Sequence, residues 1–411
     1  MRIHKIELKN FRCYENLTLE LDPNFNIIVG INGTGKTAIL EALRIAIGSL
    51  FLDVDKHKDK ISSPGINEDD VRLSHLERQY PVSIVSEGEI FGSSVSWKRN
   101  LDTHQGRTKF VEANEMKTAS ADLQRRIREN DDSRCIPLIA YYSTDRFKKE
   151  KKDAGIVADG SRLRGYYNAL DPMTNIKFFL DLYRTETLSA LQHNTDSTIL
   201  AAVNNAVRIC VEDCTNIYYD VKRDELIIEL DSAHDVLPFN FLSDGVRSTL
   251  ALAMEIAFRC YLLNPHFGEQ AAQNTSGIVL IDEIDLHLHP AWQKKIVKDL
   301  KNAFPCIQFV VTTHAPLIIG SLDVGKIFTI ENQQAYDFPI QYGKDANSIL
   351  NVMGTEEMDS ILKDKLQNYF LLIEGGQGQT SDALLLREEL EKMLGNNHTE
   401  LQRADMMLKF F

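Results

Sequence analysis

A chain of 411 residues with 43% hydrophobic content has enough apolar material to bury a large core and to hold more than one structural unit. Its formal net charge of -13 excludes a protein that coats nucleic acid with its whole surface, leaving only local basic faces for that role. No apolar run approaches the ~18 residues of a membrane-spanning helix, so no membrane partner is expected.

The first eight residues, Met1-Arg2-Ile3-His4-Lys5-Ile6-Glu7-Leu8, alternate apolar and charged side chains as a half-buried strand does. They lack the apolar stretch of a secretory signal, which predicts a cytoplasmic protein. Residues 6–12 and 17–21 are predicted strands, pairing beside a third at 26–29 that leads into Gly30-Ile31-Asn32-Gly33-Thr34-Gly35-Lys36-Thr37. An amphipathic helical pattern runs from 38 to 50. Residues 51–80 are charged and broken by Ser63-Pro64-Gly65, a surface loop region. Residues 82–90 and 94–99 predict an antiparallel hairpin that extends the first sheet. An exposed helix is expected over 113–130, then a buried strand over 135–142 ending at Ser143-Thr144-Asp145-Arg146. Residues 147–160, with Lys148-Lys149-Glu150-Lys151-Lys152-Asp153, form a solvated charged segment.

A helical block over 176–214 follows, then strands at 216–221 and 225–230 around the turn Lys222-Arg223-Asp224. A long helix over 242–263 opens at Ser243. Next come an apolar strand at 277–281 closed by acids, an amphipathic helix over 291–303, a buried strand at 307–311 and another at 326–331. Continuous apolar strands alternating with helices predict a sheet covered on both faces. From residue 348 the pattern is helical, with one apolar stripe of Met358, Ile361, Leu362, Leu366 and Phe370 and a second of Leu386, Leu390, Met393 and Leu394. The ending Met406-Met407-Leu408-Lys409-Phe410-Phe411 is still apolar, as in a natural chain that runs further. The six cysteines (Cys13, Cys135, Cys210, Cys214, Cys260, Cys306) lie in apolar surroundings that suit reduced thiols. Cys210 and Cys214 lack a second pair at zinc spacing and are expected to be buried thiols.

Residues 30–37 match the full G-x-x-x-x-G-K-T P-loop pattern, placed between a strand and a helix as its mechanism requires. The glycines let the backbone turn its N–H groups toward phosphate oxygens, and the helix N-terminus adds partial positive charge. Asn32, Gly33 and Gly35 shape that cradle, Lys36 reaches the β- and γ-phosphates, and the Thr37 hydroxyl binds Mg²⁺. Ile278-Val279-Leu280-Ile281-Asp282-Glu283 has the form of a Walker B strand, delivering two carboxylates at its carboxyl end. Asp282 then supports the Mg²⁺ shell and Glu283 polarises the attacking water. ATP and Mg²⁺ are the expected cofactors. His287 and His289 lack a third ligand and are assigned to the loop after that strand.

Leu242-Ser243-Asp244-Gly245-Val246-Arg247 stands about 35 residues before the acids, and Thr312-Thr313-His314 about 30 after them. The first resembles the signature motif of ABC-type ATPases and the second their switch histidine. With Asn10-Phe11-Arg12 near the start, the set resembles the RecF/SMC-like branch of that superfamily. Asp282-Glu283-Ile284-Asp285-Leu286-His287-Leu288-His289-Pro290, Trp292-Gln293 and Thr313-His314-Ala315-Pro316 are similar, within it, to the single-chain ATPases of phage-defence systems, the PtuA group of Septu and retron systems.

That resemblance implies an α/β fold: an ABC-type ATPase head, with a mixed sheet around the P-loop helix and an antiparallel β subdomain, plus a helical insertion and a helical tail. The matching bounds are an N-terminal lobe at 1–146, the insertion at 147–215, a C-terminal lobe at 216–347 and a partner-docking region at 348–411. It also implies a head-to-tail homodimer, or a higher oligomer, with ATP between one P-loop and Ser243 and Gly245 of the other copy. Arg12 then lies close to nucleotide, Asp285 couples the two sites and His314 faces the γ-phosphate. Asp244 stands where a glycine is usual, and Asp145-Arg146 stands where a Q-loop glutamine is expected, which bears on γ-phosphate sensing and on the speed of turnover.

The function expected from this resemblance is an ATP-dependent sensor and scaffold that controls a separate HNH-type nuclease in antiviral defence, with a reverse transcriptase and its RNA–DNA product as further partners. A RecF-like repair clamp on DNA would instead use Lys148 to Lys152 with Arg162 and Arg164, or Arg125-Arg126 with Arg128. An OLD-like nuclease would read Phe370-Leu371-Leu372-Ile373-Glu374-Gly375 as the opening strand of a Toprim domain, although only 37 residues follow Glu374. The two C-terminal apolar stripes either dock a partner or cover each other or the head.

Overall fold

Strands made mostly of apolar side chains must be covered on both faces, and in the computed structural model such runs become the middle of one sheet. The structure describes residues 1–54, 61–104, 106–109, 114–144, 161–172, 176–211, 213–231, 235–352, 360–394 and 399–408. Among them the strands are β1 (Arg2–Phe11), β2 (Tyr14–Glu20), β3 (Phe25–Val29), β4 (Leu73–Ser74), β5 (Glu77–Arg78), β6 (Val82–Ile90), β7 (Ser93–Leu101) and β8 (Leu138–Tyr142). They continue with β9 (Cys214–Asp220), β10 (Glu225–Leu230), β11 (Asp235–Pro238), β12 (Gly277–Ile281), β13 (Ile307–Thr313), β14 (Lys326–Glu331) and β15 (Gln334–Phe338).

The main sheet runs β15-β14-β3-β13-β12-β8, with every pair parallel except the β14–β15 hairpin. Every residue of β3, β8, β12 and β13 is buried. A second sheet, β2-β1-β6-β7, is antiparallel throughout. These sheets are the expected mixed sheet around the P-loop helix and the expected antiparallel β subdomain. One expectation is corrected. β1 and β2 do not pair with the P-loop strand, whose neighbours are β13 and β14. The alternating burial of β1 fits a sheet with one wet face, whereas β3 needs cover on both faces.

The two sheets are joined by side chains placed for the purpose. Buried Gln308 on β13 accepts the Ile3 N–H at 2.9 Å and donates to the Ile3 carbonyl at 2.7 Å, beside the irregularity where β1 leaves register with β6. Trp97 on β7 donates its indole N–H to the Ala46 carbonyl of the P-loop helix Lys36–Ile47 at 3.0 Å. A buried apolar helix end is thereby pinned to the second sheet, the Ala46 carbonyl taking the indole in addition to the Gly48 N–H.

Several predicted elements take other bounds. The helix Asn114–Glu129 is not exposed all round: Met116, Ser120, Leu123 and Ile127 form a buried stripe packed on β7 and on the turn Gly48–Phe51. The helical block divides into Ile176–His193 and Thr198–Cys210, because Asn194 takes φ 51° and Ser197 starts the second helix by accepting the Leu200 N–H. Cys214 lies outside that block, at the start of β9. The helix expected over 291–303 is likewise two, Pro290–Gln293 and Ile296–Ala303. β11 and β15 had no signal long enough to predict them; β15 is folded back by Asn332 and Gln333, both at positive φ as a tight hairpin demands.

Cys210, Cys214 and Cys260 are buried free thiols, while Cys13, Cys135 and Cys306 are only half-buried. Burial pushes the Cys214 thiol up to about 11 and raises Cys210 and Cys260 further. No described helix is long and apolar enough to cross a membrane.

The chain divides into two compact units, Met1–Lys344 and Asp345–Phe411. The second begins with the helix Ala346–Val352, and its helices Ser360–Glu374, Ser381–Leu394 and Thr399–Met407 surround a small core of Leu366, Tyr369, Ile373, Ala383, Leu390, Leu401 and Ala404. Leu362, Phe370 and Leu386 pack against it, so the two predicted stripes cover each other. Met393 points to solvent, and Met358 and the side chains of Ile361 and Leu394 lie outside the described residues. Arg387 ties the last two helices together, with its guanidinium 3.0 Å from Asp405 and donating to the Leu401 carbonyl. Residues 370–374 end a helix, which removes the Toprim strand.

Candidate functional site

The site lies where β3, β12 and β13 end, because parallel strands emerge together and the loops that follow them meet. Gly30, Gly33 and Gly35 take φ of 156°, 84° and 101°, and at Gly33 and Gly35 these are left-handed values that side chains resist. Gly35 has a second reason to be glycine: a Cβ there would stand 2.4 Å from Cys13 Sγ and 2.7 Å from the Tyr14 hydroxyl. It also starts the helix Lys36–Ile47, whose first N–H groups have no side-chain cap. A twelve-residue helix with an uncapped glycine start inside a loop of exposed Ile31, Asn32 and Gly33 is a fitting cradle for phosphate.

Lys36 is buried and folds back on its own loop, donating to the carbonyls of Gly30 at 2.9 Å and Ile31 at 3.0 Å. Burial lowers its pKa, opposed by the negative charges of Asp282, Glu283 and Asp285. Its neighbour Thr37 donates its hydroxyl to Asp282 Oδ2 at 2.9 Å. This contact joins residues 245 positions apart and brings together the two groups expected to hold Mg²⁺.

Asp282 continues the line of β12, its N–H donating to the Tyr142 carbonyl of β8 at 2.8 Å, and is almost wholly buried. Its Oδ1 accepts the Thr312 hydroxyl at 2.5 Å. Glu283 then leaves the sheet in a left-handed conformation, φ 45°, with its N–H donated to Thr312 Oγ1 at 2.8 Å. Asp285 accepts the Thr313 hydroxyl at 2.6 Å, and Thr313 in turn accepts the Ala315 N–H at 3.0 Å. His314, between them, is half-buried. Burial and the nearby Lys36 charge lower its pKa, while Asp285, Glu283 and Asp282 work the other way. Lys36, the three acids and His314 therefore share one electrostatic neighbourhood, and His314 favours the neutral imidazole that can accept or donate a hydrogen bond.

The remaining predicted residues are placed differently. Arg12 lies in the turn after β1 at φ 50°, its Nε donating to buried Asp70 at 2.8 Å. The same turn touches the P-loop through Tyr14, whose hydroxyl donates to the Thr34 carbonyl at 3.3 Å. Ser243 is exposed at the start of the helix Asp244–Leu263, and Asp244 there pairs with Arg247 at 2.6 Å. The closest neighbours of Gly245 belong to the loop after Glu283: a Cβ there would meet the His287 carbonyl at 2.7 Å. No P-loop atom is among them. His289 accepts the Ala291 N–H at the start of its helix, and no cluster of three or more metal-ligating residues occurs among the described residues.

Sequence reading missed the working of Thr312 and Thr313, which it took as the approach to His314. Only two adjacent hydroxyls at the end of a parallel strand signalled it, and which acids they meet depends on register with β12. It also missed Asp70 as the partner of Arg12 and Tyr14 as a prop of the P-loop.

A family model described as an AAA domain matches residues 5–213, half of the 411-residue chain, and a second, an AAA ATPase domain, matches residues 184–319. The Retron Vc95 probable ATPase of Vibrio cholerae is 26% identical over 440 aligned residues, covering 92% of this chain and 84% of that protein. The Septu protein PtuA of Bacillus mycoides is also 26% identical, over 95% of this chain but only 50% of its own length. Among solved structures, the SMC head domain from Thermotoga maritima is similar at 16% identity and a TM-score of 0.47, covering 83% of this chain and 99% of that one.

Proposed function

This chain belongs to the AAA-domain family, as a RecF/SMC-like ATPase related to PtuA, and on that premise we propose that it is a nucleotide-gated sensor and scaffold of phage defence. The observation that carries the nucleotide reading is the 2.9 Å contact between Thr37 and Asp282, which sets P-loop hydroxyl and strand-end carboxylate side by side. When bound, Mg²⁺ supplies charge neutralisation between phosphate oxygens. Thr37 and Asp282 hold it, while Asn32, Gly33, Gly35 and Lys36 cradle the phosphates of ATP. Glu283 orients and deprotonates the attacking water, with His314 at the γ-phosphate.

Two copies pair head to tail, so that Ser243 and Gly245 of one face the P-loop of the other. The placement of Gly245 against the His287 carbonyl supports this reading, since the start of the signature helix packs on the loop that carries Asp285. Arg12 joins the nucleotide by exchanging its Asp70 partner for a phosphate or base. The closed pair then controls an HNH-type nuclease, with a reverse transcriptase and its RNA–DNA product as further partners; the names of the Septu and retron relatives support this assignment. The region 348–411, within the second compact unit, is the docking region.

Nothing in the described residues favours the DNA-clamp reading. Arg125 is paired with Asp122 and Glu129, Arg126 with Asp122 and Asp131, and Arg162 is buried against Asp132. Lys148 to Lys152 lie outside the described residues. The test is to express the tagged chain with its genomic neighbours and weigh what co-purifies. Recovery of a small nuclease and an ATP-dependent dimer is expected. Recovery of the chain alone as a DNA-stimulated ATPase would overturn the scaffold reading.

A further inference from the structure

We infer that Thr312 is a positioning residue that decides which oxygen of Asp282 faces the metal and holds Glu283 in its turn. The inference rests on the reading of Thr37 and Asp282 as the Mg²⁺ ligands and assigns a role to a residue that reading leaves out.

A threonine hydroxyl has one proton and two lone pairs. The Thr312 oxygen accepts the Glu283 N–H at 2.8 Å, and its proton goes to Asp282 Oδ1 at 2.5 Å. Thr312 is fully buried at the end of β13, so its hydroxyl has no water to turn toward. The other carboxylate oxygen, Oδ2, is held by Thr37, an exposed residue on a different element whose hydroxyl can rotate. The two bonds are unequal partners: one is locked by a second hydrogen bond, the other is exchangeable. Oδ2 is therefore the oxygen that Asp282 would offer to a cation shared with Thr37, with the carboxylate plane already set.

The same hydroxyl steadies Glu283. A glutamate at φ 45° occupies a region that side chains disfavour, and such a conformation persists only where its surroundings determine it. Thr312 takes two successive N–H groups of that turn, Glu283 through its side chain and Ile284 through its carbonyl at 3.0 Å. It thus sets metal ligand and catalytic carboxylate from one point. Thr313 repeats the device one residue on, between Asp285 and the Ala315 N–H.

The experiment measures binding of a fluorescent ATP analogue by the full-length chain as Mg²⁺ is titrated, and separately in EDTA, alongside steady-state turnover. Thr312→Val keeps the shape and removes the hydroxyl. It is expected to raise the Mg²⁺ concentration for half-maximal binding by roughly 10-fold, in line with loss of an outer-shell partner, and to lower kcat. Affinity in EDTA should stay within about 2-fold, since the phosphate cradle is untouched. Thr312→Ser should restore both quantities. If Thr312→Val melts out, Thr312→Cys, with a weaker donor on the same frame, should give a smaller shift of the same sign. An unchanged Mg²⁺ dependence in the valine variant, or equal impairment by valine and serine, overturns the inference. Absence of Mg²⁺-dependent binding in the parent chain would overturn the ligand reading itself, which the parent titration reveals before any variant is made.

Discussion

The carboxyl end of the main sheet and the C-terminal unit are built on opposite plans. At the sheet end, four fully buried strands form a frame so well covered that charged groups can be set on its rim at fixed distances. Asp282 has each oxygen engaged by a hydroxyl, and Asp285, Glu283 and His314 are each placed by β13. In the unit 345–411, a core of seven buried residues holds helices that leave Leu371, Leu384, Leu385, Met393 and Met406 more than half exposed. Fixed polar geometry needs a deep apolar support, whereas a shallow core supports a surface that can adapt to what it meets.

The largest expected break in this contrast comes at Glu283. Glu283→Gln should reduce kcat for ATP hydrolysis by roughly 10²–10⁴, the usual contribution of a general base, while ATP affinity stays within a few-fold and the ATP-bound pair accumulates in sedimentation. Normal turnover would remove Glu283 from the reaction. Next is Lys36→Ala, which should weaken ATP binding by roughly 100-fold, about 3 kcal/mol for a charged phosphate contact, with a melting temperature close to the parent. Unchanged affinity by calorimetry would mean that the cradle is not a nucleotide site.

On the other side of the comparison, Leu390→Ala should cost about 2–4 kcal/mol of local stability, because Leu390 is fully buried in a core with few neighbours to close the gap. Hydrogen exchange should rise across residues 360–408 while ATP binding holds; faster exchange throughout the sheet instead would show that the two units unfold as one.

The smallest effect is at His314. Burial and Lys36 depress its pKa below the ordinary 6.5, so the folded chain takes up this proton less readily than the unfolded chain. Its stability contribution is present above 6.5 and is lost as pH falls below that value toward the depressed one. Its imidazole resonance should titrate below 6.5, and nearer the ordinary value in Lys36→Ala. A midpoint above 6.5 would mean that the three carboxylates dominate.

Much of the site was legible because its residue types are forced. Gly35 is required by a left-handed backbone, and Thr37 and Asp282, the expected ligands of a hard cation, stand 2.9 Å apart; each sits in a motif short enough to read along the chain. The strands at 277–281 and 326–331 were read to the residue, because both are too short for a helix, rich in β-branched residues and bounded by polar ones. The division at Asn194 was signalled by the polar run Gln192 to Thr198 with Ser197 as a cap, which the helical reading passed over, whereas the short break near Lys295 has no glycine or proline to mark it.

What the sequence alone determined is which residues gather at the ends of β3 and β12, and the alternation of buried strands and helices that supports them. Tertiary structure decided the rest: that β1 and β2 belong to a separate sheet, that Arg12 is held by Asp70, and that Thr312 and Thr313 reach Asp282 and Asp285. The physical reason is register. Local patterns state whether a residue faces the core, but which side chain stands opposite Thr312 depends on the pairing of Ile281 with Val311, strands that lie about 30 residues apart in the chain.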